Sequence, residues 1–174
     1  MELFDLYTAE REKTGKTMVR GEPVPEGFYR LVIHVCIFDK AGRMLIQQRQ
    51  PFKEGWPDRW DFSVGGSAVA GDSSRSAAER ETMEELGLSI DLTDVRPSLT
   101  IYFERGFDDY YVLTKDVDLS TLNLQPEEVQ TVQWAGQEEI LRMIDDGRFI
   151  PYEKSLIGFL FSRRNHRGAH TRKE

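Results

Sequence analysis

The pattern of apolar positions is densest at residues 29–38, which are β-branched and almost continuously apolar. A run of this length is typical of a strand that is covered on both faces. The turn residues at 39–42 predict a connection into a second strand that ends near Arg49. The pattern therefore predicts a central sheet that begins at about residue 29.

Two shorter features flank this pair of strands. Residues 2–20 are predicted to form two strands around a turn at Thr14-Gly15, a hairpin that lies against the main body. After the second sheet strand, a short strand is predicted over residues 60–64. It is expected to end at Gly65-Gly66, where the lack of side chains allows close approach of a ligand to the backbone.

One helix is strongly predicted after Asp72, because several possible N-cap residues precede a helix-forming run that stops at Gly87. Asp108 and Asp109 are interpreted as turn residues of a later hairpin. Further strands are predicted at 98–104, 109–115 and 129–134, and helices near 137–146 and 152–164, with Pro151 at the first position of the last helix. Strands and helices mix without strict alternation, which predicts an α/β or α+β sandwich with helices packed on a mixed sheet.

The length of 174 residues and the apolar content of 39% suit a single domain with one sizeable core. We divide it into a hairpin extension at 1–28, a core at 29–165 and a basic tail at 166–174. The tail is interpreted as a solvated helix end. The net charge of −7 argues against a nucleic-acid polymer as a partner.

Cys36 is the single cysteine, so no disulfide forms within the chain, and it lies in the apolar run of the first sheet strand. This usage suits a reducing cytoplasm. No apolar run approaches the roughly 20 residues that span a bilayer. These features predict a cytoplasmic protein without membrane segments.

The candidate chemistry lies on the predicted helix. At about 100° per residue, Glu81, Glu84 and Glu85 fall within one arc of the helix surface. Like charges at this spacing destabilise a helix, and a bound cation would remove that cost. An all-oxygen site without nearby Cys or His favours Mg²⁺ or Mn²⁺. Arg80 is predicted to pair with Glu84 one turn away.

The spacing around this helix resembles the Nudix box. Gly66 is followed by five residues, Asp72, seven residues and then Arg80-Glu81-Thr82-Met83-Glu84-Glu85-Leu86-Gly87-Leu88. The family pattern has glutamate where Asp72 stands and a large aliphatic residue where Thr82 stands. Asp72 serves either as a direct metal ligand or as an outer one, and the sequence leaves both open.

The resemblance implies a three-layer α/β/α sandwich whose box forms a loop-helix-loop. It also implies that Glu81, Glu84, Glu85 and the Gly66 carbonyl bind a divalent metal, and that water attacks a small-molecule diphosphate substrate. The catalytic base in this family lies on the helix or on a distal loop. Here the candidates are Glu81 and Glu128, while Arg80 completes the catalytic set.

The residues around the box look like the branch of the family that contains isopentenyl diphosphate isomerase. By that match Arg49 and Lys53 are candidate contacts for the substrate diphosphate. Gly65 and Ser67 stand where the isomerase has a cysteine and a histidine, and Arg30 stands where it has another histidine. We therefore predict a hydrolase, with an isomerase or a non-catalytic diphosphate-binding module as alternatives. A homodimer is compatible with all three.

Overall fold

The computed structural model describes residues 2–170, which form one mixed sheet with helices on both faces and a separate hairpin. The strands are β1 (Leu3–Tyr7), β2 (Lys13–Val19), β3 (Arg30–Phe38), β4 (Met44–Arg49), β5 (Trp60–Asp61), β6 (Val64–Ser67), β7 (Leu99–Phe103), β8 (Gly106–Thr114) and β9 (Val129–Ala135). The helices are α1 (Ser74–Leu86), α2 (Gln137–Asp145) and α3 (Lys154–Arg163), with a short 3-10 turn at Leu119–Thr121.

The main sheet has seven strands in the path β5-β4-β3-β8-β7, with β6 also paired to β3 and β9 to β4. The β3–β8 pair is parallel and the other pairs are antiparallel. The long apolar run predicted as the first sheet strand is therefore the central strand β3. The predicted mixed sheet is confirmed.

The two faces of β3 carry separate cores, because successive side chains of a strand point to opposite faces. Ile33, Val35 and Ile37 join the core that packs under α1. Cys36 and Phe38 join the core formed with α2 and α3. This division gives the three-layer α/β/α sandwich that the family resemblance implied.

Both ends of α1 follow the sequence signals. The Ser73 side chain accepts a hydrogen bond from the Ser76 backbone N–H, and Ser76 caps in return, so the first turn is satisfied reciprocally. At the other end Gly87 adopts a left-handed conformation with φ 63°, where a side chain would be strained. Thr82, which departs from the family pattern, is buried and donates to the Ala78 carbonyl at 2.7 Å.

The predicted turn of the N-terminal hairpin at Thr14-Gly15 is wrong, because those residues lie inside β2. The connection covers residues 8–12, where the Thr8 hydroxyl accepts from the backbone N–H groups of Glu10 and Glu12. Gly15, with φ 77°, lies opposite the register shift in β1. The glycine therefore marks an irregular strand position rather than the turn.

Three further predictions need correction. The strand predicted at 60–64 is split into β5 and β6, since the Ser63 hydroxyl accepts from the Ile37 N–H and donates to the Leu45 carbonyl. Gly65-Gly66 therefore lies within β6 and does not end a strand. Pro151 precedes α3, because Ile150 is held extended by its bond to the Trp60 carbonyl and Glu153 is the N-cap.

The interpretation of Asp108 and Asp109 as turn residues is also wrong, since both lie inside β8. Asp109 is fully buried, and its carboxylate accepts from both Nη atoms of Arg11, at 2.7 and 3.0 Å. The Thr100 and Ser74 hydroxyls donate to the same carboxylate. Asp109 thus fastens the hairpin connection to the sheet and to the start of α1.

Replacing Arg11 by alanine is expected to lower the free energy of unfolding by about 3 kcal/mol, because the buried Asp109 charge loses its cation. Urea denaturation at pH 7.5 measures this difference. Arg148→Ala is the control, since Arg148 pairs with Asp146 on the surface, where an ion pair contributes about 0–1 kcal/mol. Equal losses in the two variants would contradict the buried role of Arg11.

The structure bears only in part on two predictions, that of a chain without membrane segments and that of a basic tail. Among residues 2–170, no helix combines the length and apolar character needed to cross a bilayer. The predicted basic tail is described only as far as His170, and its residues 171–174 lie outside the described range.

Candidate active site

A cavity of about 600 Å³ opens where the two ends of the segment that resembles the Nudix box meet, between β6, the last turns of α1 and two loops. It is lined by Glu2, Arg20, Arg49, Phe52, Lys53, Glu54, Gly55, Gly65, Gly66, Ser67, Arg80, Glu81, Glu84, Glu85, Gln125, Glu127 and Glu128. Both kinds of predicted site residue, the helix carboxylates and the loop cations, therefore face one space. Its volume suits a small-molecule ligand.

Glu85 is the most buried of the helix carboxylates, with 5% of its surface exposed. Its Oε2 atom accepts a hydrogen bond from Gln47 Nε2 at 2.7 Å. Burial raises the pKa of Glu85 to about 8, against the Gln47 hydrogen bond and with help from the Glu81 and Glu128 charges. The folded chain thus holds a carboxyl group whose ionised form needs a cation.

Glu81 lies against the backbone of Gly66. A Cβ atom at position 66 would overlap the Glu81 carboxyl group, so only glycine leaves room for this side chain. Burial raises the pKa of Glu81 to about 7, while Arg80 opposes the shift and the Glu84 and Glu2 charges add to it. The glycine that the box requires therefore has a local steric reason.

Arg80 organises the acidic edge of α1. Its guanidinium donates to Glu81 and Glu84, each at 3.0 Å, which confirms the predicted Arg80–Glu84 pair. It also donates to Asp72 Oδ2 at 2.9 Å and to the Ser67 carbonyl at 3.1 Å. One cation thus spans the helix, β6 and the loop between them.

Asp72 takes a different position from the helix carboxylates. It is not among the residues that line the cavity, and it accepts hydrogen bonds from Arg80 and from the Ser76 hydroxyl at 3.0 Å. The structure therefore favours the outer of the two roles left open for Asp72. Shortening the side chain by one methylene still allows it to hold Arg80.

The predicted loop residues form the opposite wall. Lys53 Nζ lies 2.6 Å from Glu128 Oε1, and both side chains are about one-quarter exposed or less. Arg49 Nε donates to the Gly55 carbonyl at 3.0 Å, and Arg49 Nη1 lies 4.0 Å from buried Asp61. Two candidate substrate contacts and one candidate base therefore lie together.

Within residues 2–170, no three His, Cys, Asp or Glu side chains are grouped closely enough to hold a metal ion as they stand. Arg80 Nη1 contacts the carboxylates of both Glu81 and Glu84, each at 3.0 Å. The donor set nevertheless suits a hard cation, because three carboxylates line one cavity and Glu85 is buried with a raised pKa. The ligand assignment stays a prediction.

Three residues at this site were not found from the sequence. Gln47 alternates with buried Leu45 on the inner face of β4, and a polar residue at such a position is the one signal that was available. Glu2 and Arg20 come from the ends of the N-terminal hairpin, where no motif or spacing pointed to the cavity. The fold alone brings them there.

Comparison with known proteins identifies a family for this chain, since the family model for the NUDIX domain matches residues 28–153. The chain belongs to the Nudix family. An uncharacterized Nudix hydrolase of Listeria monocytogenes is 53% identical over 152 residues, which cover 87% of this chain and 90% of the relative. The prediction of a Nudix hydrolase is confirmed.

Two other matches are more distant. Isopentenyl-diphosphate Delta-isomerase of Citrobacter koseri is 29% identical over 66% of this chain and 66% of its own length. A crystal structure from Deinococcus radiodurans, the protein DR0079, shares 24% identity with a TM-score of 0.71 and covers 91% of this chain and 97% of its own. The predicted kinship with the isomerase branch is thus confirmed, and the structural match supports the fold.

In this Nudix domain the isomerase-related positions have their own local partners. Arg30 donates to the Ser67 hydroxyl at 2.9 Å, and Gly65 faces the ring of His34. His34 is buried, and its Nδ1 lies 2.7 Å from Asp108. Cys36 is fully buried in the core under α2 and α3 and does not line the cavity.

Proposed function

We propose that this Nudix hydrolase cleaves a diphosphate bond in a nucleoside diphosphate derivative or a related compound, with Mg²⁺ or Mn²⁺ as its cofactor. One observation carries the proposal: the carboxylates of α1 and the cations Arg49 and Lys53 line the same cavity. A diphosphate needs cationic contacts for its oxygens, and a metal that bridges it to the protein needs carboxylates.

Glu81, Glu84 and Glu85 are the residues that would hold the metal, with the Gly66 carbonyl as a further ligand and Asp72 outside them. When bound, a divalent cation neutralises charge on phosphoryl oxygens and lowers the pKa of water. The protein prepares this role by burying Glu85 beside Gln47, so that an ionised carboxylate there has one hydrogen bond from the protein and is stabilised further by a bound cation.

Arg49 and Lys53 bind the diphosphate in this scheme. Arg49 offers a planar fork of donors and Lys53 a compact charge. Lys53 is paired with Glu128 in the structure, at 2.6 Å. A phosphoryl oxygen that draws Lys53 away leaves the Glu128 carboxylate free to accept a proton.

We assign the general base to Glu128 on this ground. The alternative base, Glu81, lies among the carboxylates that the metal requires and is engaged by Arg80. Glu128 lies on the opposite wall, with 25% of its side chain exposed, where an attacking water has access. Its release by substrate would couple binding to proton transfer.

The polarity of the cavity favours a hydrophilic substrate. Phe52 is the one apolar side chain among the residues that line it in the described part of the chain, and 68% of its surface is exposed. A prenyl chain would find little apolar surface there, whereas the flat face of a nucleobase matches a single aromatic ring. This supports a nucleoside derivative over an isoprenoid diphosphate.

Hydrolysis is expected on at least one member of a substrate panel in the presence of Mg²⁺. The panel contains nucleoside di- and triphosphates, dinucleoside polyphosphates, nucleotide sugars, coenzyme A and isopentenyl diphosphate, and chromatography follows the products. Glu84→Gln is expected to lower turnover at least about tenfold, since it removes one charged metal ligand. Glu84 is half-exposed, so the substitution leaves the fold intact.

The other hypotheses give different results in the same assay. Isomerisation of isopentenyl diphosphate without hydrolysis would identify an isomerase. Tight binding of a panel member without any product would indicate a diphosphate-binding module. Equal hydrolysis by the wild type and Glu84→Gln would contradict the proposed metal site.

A further inference from the structure

The N-terminal hairpin contributes to the cavity although it lies outside residues 28–153, the segment that the family model matches. Glu2 precedes β1 and Arg20 follows β2, and both side chains line the cavity. The Arg20 backbone N–H donates to the Glu2 carbonyl at 3.0 Å, which holds the two ends of the hairpin together. This part of the site is therefore an addition to the matched Nudix segment.

The Arg20 side chain is oriented by Glu2, with Nη1 at 2.6 Å from Glu2 Oε2. Its hydrogen bond to Glu2 raises the pKa of Arg20, and the charges of Glu128 and Glu81 act in the same direction. The Arg20, Glu81 and Glu128 side chains all line the same cavity. Arg20 thus adds a cation from the hairpin to the cavity that the carboxylates of α1 line.

Stability does not explain this ion pair. The Arg20 side chain is 60% exposed and that of Glu2 is 39% exposed, and surface pairs of this kind contribute little to folding. Within the described residues, Arg20 directs a single side-chain hydrogen bond, to Glu2. Most of its five N–H donors are thus available to a ligand.

The other cations of the cavity are more fully engaged. Of the four cationic side chains that line it in the described part of the chain, Arg49, Lys53 and Arg80 are 20%, 21% and 25% exposed, against 60% for Arg20. Arg80 is bound to three carboxylates and Lys53 to Glu128. Arg20 therefore has the donors that are most accessible to an incoming anion.

We propose that Arg20 is a substrate-binding residue, which donates to a phosphoryl oxygen of the diphosphate and makes the N-terminal hairpin part of the recognition site. This inference rests on the proposed diphosphate chemistry and deepens it. Arg20 contributes to affinity and takes no part in bond cleavage. Glu2 acts as a positioning residue, because its carboxylate holds the Arg20 guanidinium.

Binding of methylenediphosphonate, a diphosphate that cannot be hydrolysed, tests this role by isothermal titration calorimetry with Mg²⁺ present. Arg20→Gln is expected to raise the Kd about tenfold, as loss of one charge-assisted hydrogen bond predicts. Arg20→Lys is expected to raise it less, about threefold, since the charge remains while the fork is lost. On the substrate identified by the panel, KM should rise and kcat should stay within about twofold.

Lys16→Gln is the matched control, because Lys16 lies on β2 of the same hairpin, packs over the Phe28 ring and does not line the cavity. Lys16→Gln removes one positive charge, as Arg20→Gln does, and its Kd for the diphosphonate should equal that of the wild type. Thermal unfolding of all variants checks that the hairpin stays folded. Equal effects of Arg20→Gln and Lys16→Gln, a fall in kcat without a rise in KM, or no binding by the wild type would overturn the proposal.

These experiments distinguish failure of the hydrolase proposal from failure of the proposed role of Arg20. If the wild type binds the diphosphonate through Arg20 but hydrolyses nothing, the hydrolase proposal fails and the binding role of Arg20 stands. If hydrolysis occurs and Arg20→Gln binds as the wild type does, the hairpin has no part in recognition and the hydrolase proposal stands.

Discussion

Replacing Glu85 by glutamine is expected to lower turnover about a thousandfold, because the variant loses the buried carboxylate that would bind the metal. Glutamine has the same shape and can still accept the hydrogen bond that Gln47 donates to Glu85 at 2.7 Å. The change therefore removes charge with little disturbance of packing. Steady-state kinetics with Mg²⁺, on the substrate that the panel identifies, measures the loss.

The same substitution is expected to stabilise the metal-free protein above neutral pH. Burial raises the pKa of Glu85 from its ordinary value of 4.5 to about 8 in the folded state. Between those two pH values the unfolded chain releases a proton that the folded chain retains, so wild-type stability falls as the pH rises. Removing this titration should raise the free energy of unfolding by about 4 kcal/mol at pH 8, and by nearly nothing at pH 4.

Urea denaturation in EDTA at pH 4, 6 and 8 separates the two effects. Glu104→Gln serves as the control, because the Glu104 side chain is 88% exposed and its substitution should change neither activity nor the pH profile. A destabilised Glu85→Gln protein at pH 8 would show that Glu85 is needed for folding rather than for cation binding. Unchanged turnover would remove Glu85 from the metal site.

The sequence predicted the parts of this site that depend on one continuous segment. The box helix has local start and stop signals, Ser73 and Gly87, and its carboxylates share a face because of the helical period alone. Arg80 and Glu84 are one helical turn apart, so their ion pair could also be predicted from the sequence. Such features need no knowledge of tertiary structure.

Features that depend on distant segments were predicted poorly. The partner of Glu85 is Gln47, from a strand 38 residues earlier, and hydrogen-bond partners of this separation leave no pattern in the chain. The partner of Asp109 is Arg11, 98 residues away. Without that cation, an Asp pair is more typical of a turn than of a buried strand, and local propensity gave the wrong assignment.

Predictions made from glycine positions also failed where the glycine depends on distant segments. Gly87 was interpreted correctly, since its place after a helical run specifies a left-handed cap. Gly15 was taken for a turn residue and Gly65-Gly66 for the end of a strand, although all three lie within strands. A glycine in a strand reflects what approaches it from elsewhere, and at position 66 that neighbour is Glu81.

Replacing Gly66 by alanine is expected to lower turnover about a hundredfold or more, because the added methyl group occupies the space of the Glu81 carboxyl group. Neither the backbone of residue 66 nor the Glu81 side chain can move easily, since Gly66 is paired with Ile33 in the sheet and Glu81 is held by Arg80. Glu81 must then leave the position from which it would bind metal, and a small displacement of such a group is costly. Kinetics and Mn²⁺ binding measured by electron paramagnetic resonance report the loss independently.

Two other glycines make this prediction specific. Gly158→Ala, in α3, places its methyl group at an ordinary contact distance of 3.6 Å from Gln137 and should keep full activity, with a gain in stability of up to about 1 kcal/mol. Gly65→Ala presses on the His34 ring at 3.0 Å instead of on Glu81, so it should disturb stability more than Mn²⁺ affinity. If Gly66→Ala binds Mn²⁺ as tightly as the wild type, displacement of the Glu81 carboxyl group does not affect metal binding. Glu81 should then be removed from the set of metal ligands.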